Sequence, residues 1–362
     1  MQTKNPFNPT FGDVPNIFLD KQKQVDELIQ TIQTSDFARS FFITGVRGSG
    51  KTSFLTKISE QLQDDPNCYL IDLINENGIL TTLARKLYHQ NGSKLSELFD
   101  SLNSTLIGGV AIERENEKEI PNIEIMLEEL MQSVATKNKY VVITIDEVSN
   151  SKAIQSFAKE FNALKRKKYP IYVIMTGLPD LILDIQNDDK LTFPLPSEKI
   201  KMQPLSTQDI IFAYQDVFDN NFEVANQMAK WTRGYSYAFQ LQGYIYFNYL
   251  QSKQLSPSVE SLNEIFKQYQ TMLFNNAYLK IFSGLSDTDR KYLSTIAGHP
   301  IFKDTVKVMG KSGSYVSQYR RRMLERHLII PVNHGEVAYT LPLFKEFIKE
   351  TQNPDSEFYW SL

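Results

Sequence analysis

At 362 residues, with 41% hydrophobic and 22% charged side chains, the chain is too long for one compact core and globular in composition, so two or three domains are expected. A net charge of −3 argues against a protein coated in nucleic acid, and no apolar run approaches the roughly 18 residues of a membrane span, so a soluble protein without a membrane partner is expected. Cys68 is the single cysteine, which excludes an internal disulfide and a cysteine-built zinc site.

The start, MQTKNPFNPTFGDVPNIF, lacks the basic-then-apolar order of a secretory signal, so a cytoplasmic location is expected. Three prolines between Asn5 and Phe18 mark an extended entry segment, because proline fixes φ and removes a donor. A helix is expected from Asp20, with Val25, Leu28, Ile29 and Ile32 at helical spacing.

Ser40 to Thr44 reads as a buried strand and Ser53 to Gln63 as a helix. Between them lie Gly45, Val46, Arg47, Gly48, Ser49, Gly50, Lys51 and Thr52, the G-x-x-x-x-G-K-[ST] pattern of a P-loop in its proper strand-to-helix context. Glycines let backbone amides approach an anion, and the helix N-terminus adds unpaired N–H groups. Lys51 supplies a point charge, and the Thr52 hydroxyl suits Mg²⁺. Arg47 holds a variable position of the loop and is read as facing solvent. ATP or ADP with Mg²⁺ is the ligand this stretch suits, bound by residues 45–52 and the following Ser53.

Asn67 to Ile74 reads as a second buried strand and Leu80 to Gln90 as a helix. From Asn91 to Glu119 the pattern breaks into polar residues, a Gly108-Gly109 pair and the charged run ERENEKE, read as a hairpin or surface insertion. Ile123 to Ala135 is helical, and VVITIDE is an apolar strand closing on Asp146 and Glu147. Ala153 to Leu164 is helical, and Tyr169 to Met175 is a strand ending at Thr176. This alternation implies a parallel sheet covered on both faces, with the strands' carboxyl ends facing the ligand. Asp146 then holds Mg²⁺, Glu147 polarises the attacking water, and Thr176 contacts the γ-phosphate or that water.

Pro194, Pro196 and Pro204 form a stiff connection suited to a domain boundary. Ser206 to Phe282 is helical almost throughout, and the aromatic stretch AFQLQGYIYFNYLQ reads as core packing. Beyond Leu285, helices are expected from the Ser286 cap to Ala297, from Phe302 to Met309 and from Ser312 to Leu328. Two strands, Ile329 to Val332 and Val337 to Leu341, then flank Asn333-His334-Gly335, and together these make a winged helix. Seven basic residues against two acidic ones lie between Lys303 and His327. Helical spacing puts Val316, Tyr319, Met323 and His327 on one side of the third helix. Ser314, Ser317, Gln318, Arg321 and Arg322 then face outward and, with Lys311, suit a DNA major groove.

The order GVRGSGKTS, VVITIDE, IMTGLPDL, PLSTQDI, WTRGYSYAFQLQGY and a terminal winged helix resembles AAA+ ATPases of the initiator clade, the origin-recognition and archaeal-type ATPases. The resemblance covers nearly the whole chain. It implies an α/β P-loop NTPase core over 1–203, a helical lid over 204–283 and a winged helix over 284–362. It makes residues 45–52 Walker A, Asp146 and Glu147 Walker B, and Thr176 the sensor residue. Two departures accompany it. Residues 177–208 contain no arginine to serve as a finger, and Tyr237 stands at the lid's arginine position, with Arg233 as its substitute. Slow ATP hydrolysis is the consequence. One reading is an ATP-dependent switch on double-stranded DNA. The other is a signalling or defence ATPase whose winged helix binds a protein partner.

Overall fold

The computed structural model describes residues 4–19, 21–35, 39–91, 123–187 and 198–360. Its centre is a five-stranded, wholly parallel sheet in the order β2-β3-β4-β1-β5, where β1 is Ser40–Thr44, β2 Cys68–Leu73, β3 Tyr140–Ile145, β4 Ile171–Gly177 and β5 Glu198–Lys201. Strands β1, β3 and β4 are buried almost without exception, which is why their sequences read as continuous Phe, Ile and Val runs rather than alternating ones.

Side chains alternate between two covering layers. Helix α1 (Gln22–Thr34) and α2 (Lys51–Gln63) place Val25, Leu28, Phe54 and Ile58 on Phe41, Ile43 and Ile174. Helices α3 (Ile79–Asn91), α4 (Ile123–Thr136), α5 (Lys152–Arg166) and α6 (Pro179–Gln186) cover Phe42, Ile143 and Met175 on the other face. Each fully buried Leu, Ile or Phe contributes about 1.5–3 kcal/mol, so these layers fix the sheet firmly.

Because β4 lies between β3 and β1, with Thr176 opposite Ile43 and Ile145 opposite Met175, the ends of the three strands converge. The phosphate-loop sequence, Asp146 and Thr176 therefore meet at one sheet edge. The expected strands and helices appear within about two residues at each end. Three elements are not announced by the sequence pattern. Strand β5 is charged and exposed (EKIK), pairing with β1 only as an edge. Short helix α6 begins on Pro179, and a C-terminal helix spans Phe344–Glu350. The expected hairpin or insertion between residues 91 and 119 lies, beyond Asn91 itself, outside the described residues.

After β5 the chain is helical: α7 (Thr207–Val217), α8 (Phe222–Thr232), α9 (Ser236–Lys253), α10 (Val259–Glu264), α11 (Phe266–Leu273), a π-turn at Phe274–Tyr278 and α12 (Leu279–Ser283). Ser206 and Asn221 cap α7 and α8 by accepting from the N–H groups of Asp209 and Val224. Helix α9 buries Phe239, Tyr246 and Phe247, so its aromatic stretch is core packing as the sequence suggests.

Next come α13 (Asp287–Gly298), α14 (Phe302–Met309), α15 (Gly313–Glu325) and the antiparallel hairpin β6 (Ile329–Asn333) and β7 (Glu336–Tyr339). Three helices and a hairpin are the arrangement expected of a winged helix. Phe274, Tyr278 and Phe282 stack with Phe344 and Phe347, so one apolar core runs unbroken across residue 283.

The proline-bearing N-terminal segment is extended, and it clasps α9. Phe7 is buried among Tyr214, Phe218 and Phe239 and rests on Gly243, where a Cβ would lie 2.5 Å from its ring. The Gln240 amide accepts from the Asn8 N–H at 2.9 Å and donates to the Ile17 carbonyl at 3.0 Å.

Candidate functional site

The converging strand ends, the N-terminal segment and the start of α9 enclose a cavity of about 560 Å³. Arg47, Gly48, Gly50, Lys51, Thr52 and Ser53 border it from the loop, and Asp146 and Glu147 from the end of β3. Gly48 and Gly50 hold φ of 76° and 87°, which an L side chain rarely adopts, so these two glycines let the loop wrap inward ahead of α2.

Lys51 folds back on the loop, its Nζ donating to the Gly45 and Val46 carbonyls at 2.9 and 3.0 Å. Burial lowers its pKa to about 8, against the opposing pull of Asp146 and Glu147 and with help from the charge on Arg47. Thr52 Oγ1 donates to Asp146 Oδ2 at 2.8 Å, while Asp146 Oδ1 accepts from the Thr176 hydroxyl and from the Glu147 N–H. Glu147 sits at φ 51° and is exposed, a sparsely populated backbone state that turns its carboxylate into the cavity.

Three expectations need correcting. Thr176 is fully buried and spends its hydroxyl on Asp146, so it lies behind the cavity wall; strand β4 is central, and its end is covered on both sides. Arg233 does not border the cavity, because it ends α8 in the left-handed conformation (φ 46°) with its side chain exposed. Arg47 does not simply face solvent: its guanidinium borders the cavity and lies 5.0 Å over the Phe11 ring. Gly45, Val46 and Ser49 form the back of the loop, with the Ser49 N–H donating to the Val46 carbonyl at 3.2 Å.

The start of α9 grips this loop directly. Tyr235 Oη donates to the Arg47 carbonyl at 2.6 Å, and burial pushes the phenol's pKa well up, so it remains a donor. Ser236 Oγ donates to the Ser49 carbonyl at 3.2 Å, and the Tyr237 N–H to the Gly48 carbonyl at 3.0 Å. Buried Lys21 reaches the Ser49 and Gln203 carbonyls at 3.4 and 3.5 Å. Ser53 Oγ ties Asp13 to the first turn of α2. Phe11 and Lys21 carry no local motif, and Tyr235 and Ser236 stood out only as part of the WTRGYSYAFQLQGY stretch.

The second candidate surface is α15. Lys311, Ser314, Ser317, Gln318 and Arg321 are exposed as expected, and Val316 and Met323 are buried beneath them. Arg322 departs from expectation. Its Nη1 donates to both carboxylate oxygens of buried Asp289 at 3.0 Å, so it braces α15 on α13. Arg326 pairs with Asp180 of α6 at 2.8 Å, tying the end of α15 to the layer beside the sheet. His327 stays neutral, its pKa lowered to about 4 by burial and by Lys201.

Residues 18–176 match the family profile described as an ATPase domain predominantly from Archaea. Over that stretch the chain is similar to archaeal-type ATPase domains. Ahead of that domain the chain adds the clasping segment, and behind it residues 275–348 match a domain of unknown function, DUF8462. The solved ORC2 protein of Aeropyrum pernix, in its ADPNP-ADP complexes, is 11% identical with a TM-score of 0.58, covering 94% of this chain and 95% of its own. Its ADP form is 11% identical with a TM-score of 0.52, covering 94% and 96%. At that identity the likeness speaks to the fold alone, in the ATPase domain and in the helical C-terminal half. No curated protein is similar to the chain in sequence. Among the described residues no helix is long and apolar enough to cross a membrane.

Proposed function

We propose that the chain is an ATP-binding, slowly hydrolysing switch that binds double-stranded DNA through its C-terminal helices and hairpin. The observation that carries it is the meeting of Lys51, Thr52 and Asp146 at one cavity bordered by the glycine-bearing loop. The fit to a nucleotide rests on the same atoms: Lys51 is a buried cation held by carbonyls, and the start of α2 offers free N–H groups to phosphate. The parts are an ATPase core over 1–203, a lid over 204–283 and a winged helix over 284–362.

In this reading the loop amides and Lys51 hold the phosphates. Thr52 and Asp146 hold Mg²⁺, which would neutralise charge on the phosphate oxygens. Glu147 orients water and accepts its proton, while Thr176 positions Asp146. Hydrolysis is slow because, beyond Arg47 of the loop itself, neither residues 177–208 nor Arg233 brings an arginine finger to the cavity. Tyr235, Ser236 and Tyr237 carry loop movement into the lid, whose core continues into the winged helix. There Lys311 and Arg321 meet DNA phosphates, and Ser314, Ser317 and Gln318 meet base edges.

A second reading is favoured by one observation: Ile301, Val308, Ile330 and Val332 are large and exposed around α14 and β6, as on a surface that docks a protein. Calorimetry with Mg·ATP tests the first reading. Wild type gives heat and a thermal upshift, and Lys51→Ala loses at least a hundredfold in affinity, about 2.7 kcal/mol. Absence of both signals in wild type would overturn the nucleotide site. Duplex affinity indifferent to salt would remove DNA in favour of the protein partner.

A further inference from the structure

Three segments distant in sequence form one stack at the cavity mouth. The Arg47 guanidinium lies 5.0 Å over Phe11 of the N-terminal segment. Phe11 in turn stacks on Tyr237 of α9, with centroids 4.5 Å apart and planes 9° from parallel. All three residues border the cavity that holds Lys51 and Thr52. Phe11 is a large, partly exposed aromatic on a segment whose backbone is pinned at Asn8, Asp13 and Ile17. It is therefore held at this place by its anchors rather than by burial.

The three cations bordering the cavity are engaged differently. Lys21 and Lys51 direct their ammonium groups at backbone carbonyls. Among the described residues Arg47 makes no ion pair, its Nε is buried without a hydrogen-bond partner, and the π face of Phe11 leaves its N–H groups available. Its charge is felt at Lys51, so two cations share one cavity and await an anion. The start of α9 fixes the backbone that follows the Arg47 Cα, through the Arg47 and Gly48 carbonyls. A planar guanidinium so placed suits two oxygens of one phosphate.

Building on the nucleotide reading above, we propose that Arg47 contacts the terminal phosphate of a nucleoside triphosphate from within the same chain, with Phe11 and Tyr237 as positioning residues. The loop amides serve the inner phosphates and Lys51 reaches from them toward the terminal one, so Arg47 adds a second cation that only a triphosphate can engage fully. Phe11 gives the N-terminal segment a stake in that distinction, because a guanidinium drawn toward phosphate tugs on the stack.

The test is calorimetric affinity for Mg·ATP and Mg·ADP on the full chain, with melting curves to establish folding. Arg47→Ala loses ATP affinity on the order of tenfold or more while ADP affinity changes about twofold or less. Arg47→Lys recovers only part of the loss, because an ammonium lacks the fork. Phe11→Ala shifts the ATP-to-ADP ratio in the same direction by roughly threefold, and Phe11→Tyr restores it. Equal losses for both nucleotides, or none in Arg47→Ala, would overturn the assignment while leaving the nucleotide site standing. Wild type that binds neither nucleotide would instead overturn the site itself.

Discussion

The cavity at the strand ends and the outer face of α15 are both lined with basic and hydroxyl side chains, yet they are built in opposite ways. In the cavity the motif side chains have fixed partners: Lys51 on loop carbonyls, Thr52 and Thr176 on Asp146. On α15 the basic residues divide. Arg322 and Arg326 are held by Asp289 and Asp180, whereas Arg321 is 75% exposed with a long 3.7 Å contact to Glu325. A basic side chain thus serves structure where a buried or half-buried acid lies within reach, as for Arg322 and Arg326, and remains available to a partner where none does. Charge runs in sequence do not make that division.

Four measurements break or sharpen the contrast. Glu147→Gln should lower phosphate release on the order of 10²- to 10⁴-fold while Mg·ATP binding persists, because only proton acceptance is lost. Equal loss of binding would show that Glu147 holds the loop rather than water. Arg322→Ala should destabilise the fold by about 2 kcal/mol in denaturant titration, since it strands the buried Asp289 carboxylate while solvent screens part of the effect. If stability is unchanged and DNA affinity falls, Arg322 belongs with the exposed residues after all.

The third measurement is pH. The protonated form of Lys51 is the one that holds phosphate, and burial brings its pKa down to about 8 in the free protein. Nucleotide affinity should be flat below pH 8 and fall about tenfold per pH unit above it, until the pKa of the complex is reached. Lys51→Met should lose that inflection. The smallest effect belongs to Arg321→Ala, which should weaken duplex binding a few-fold and reduce the salt slope by about 1, as one lost phosphate contact does. An unchanged slope would favour a protein as the occupant of this face.

Sequence pattern went furthest where one stretch of chain carries its own constraint. Burial on both faces demands uninterrupted apolar strands, so β1, β3 and β4 were legible, and Gly48, Gly50, Lys51 and Thr52 announce a phosphate loop by residue type and spacing alone. Ser286 announced α13, and Ser312 the start of α15, for the same local reason. Strand β5 escaped notice because an edge strand needs backbone pairing and no apolar side chains.

The chain alone settled where backbone amides can cluster, which segments must be buried, and which residue types stand near the phosphate loop. Only packing decided the partner of each side chain: Thr176 given to Asp146, Arg322 to Asp289, Arg233 turned outward, and Phe11 set between Arg47 and Tyr237. Those partners come from positions tens to hundreds of residues apart. Periodicity and spacing report local geometry, whereas ion pairs and ring stacks depend on where the sheet and the lid bring distant segments together.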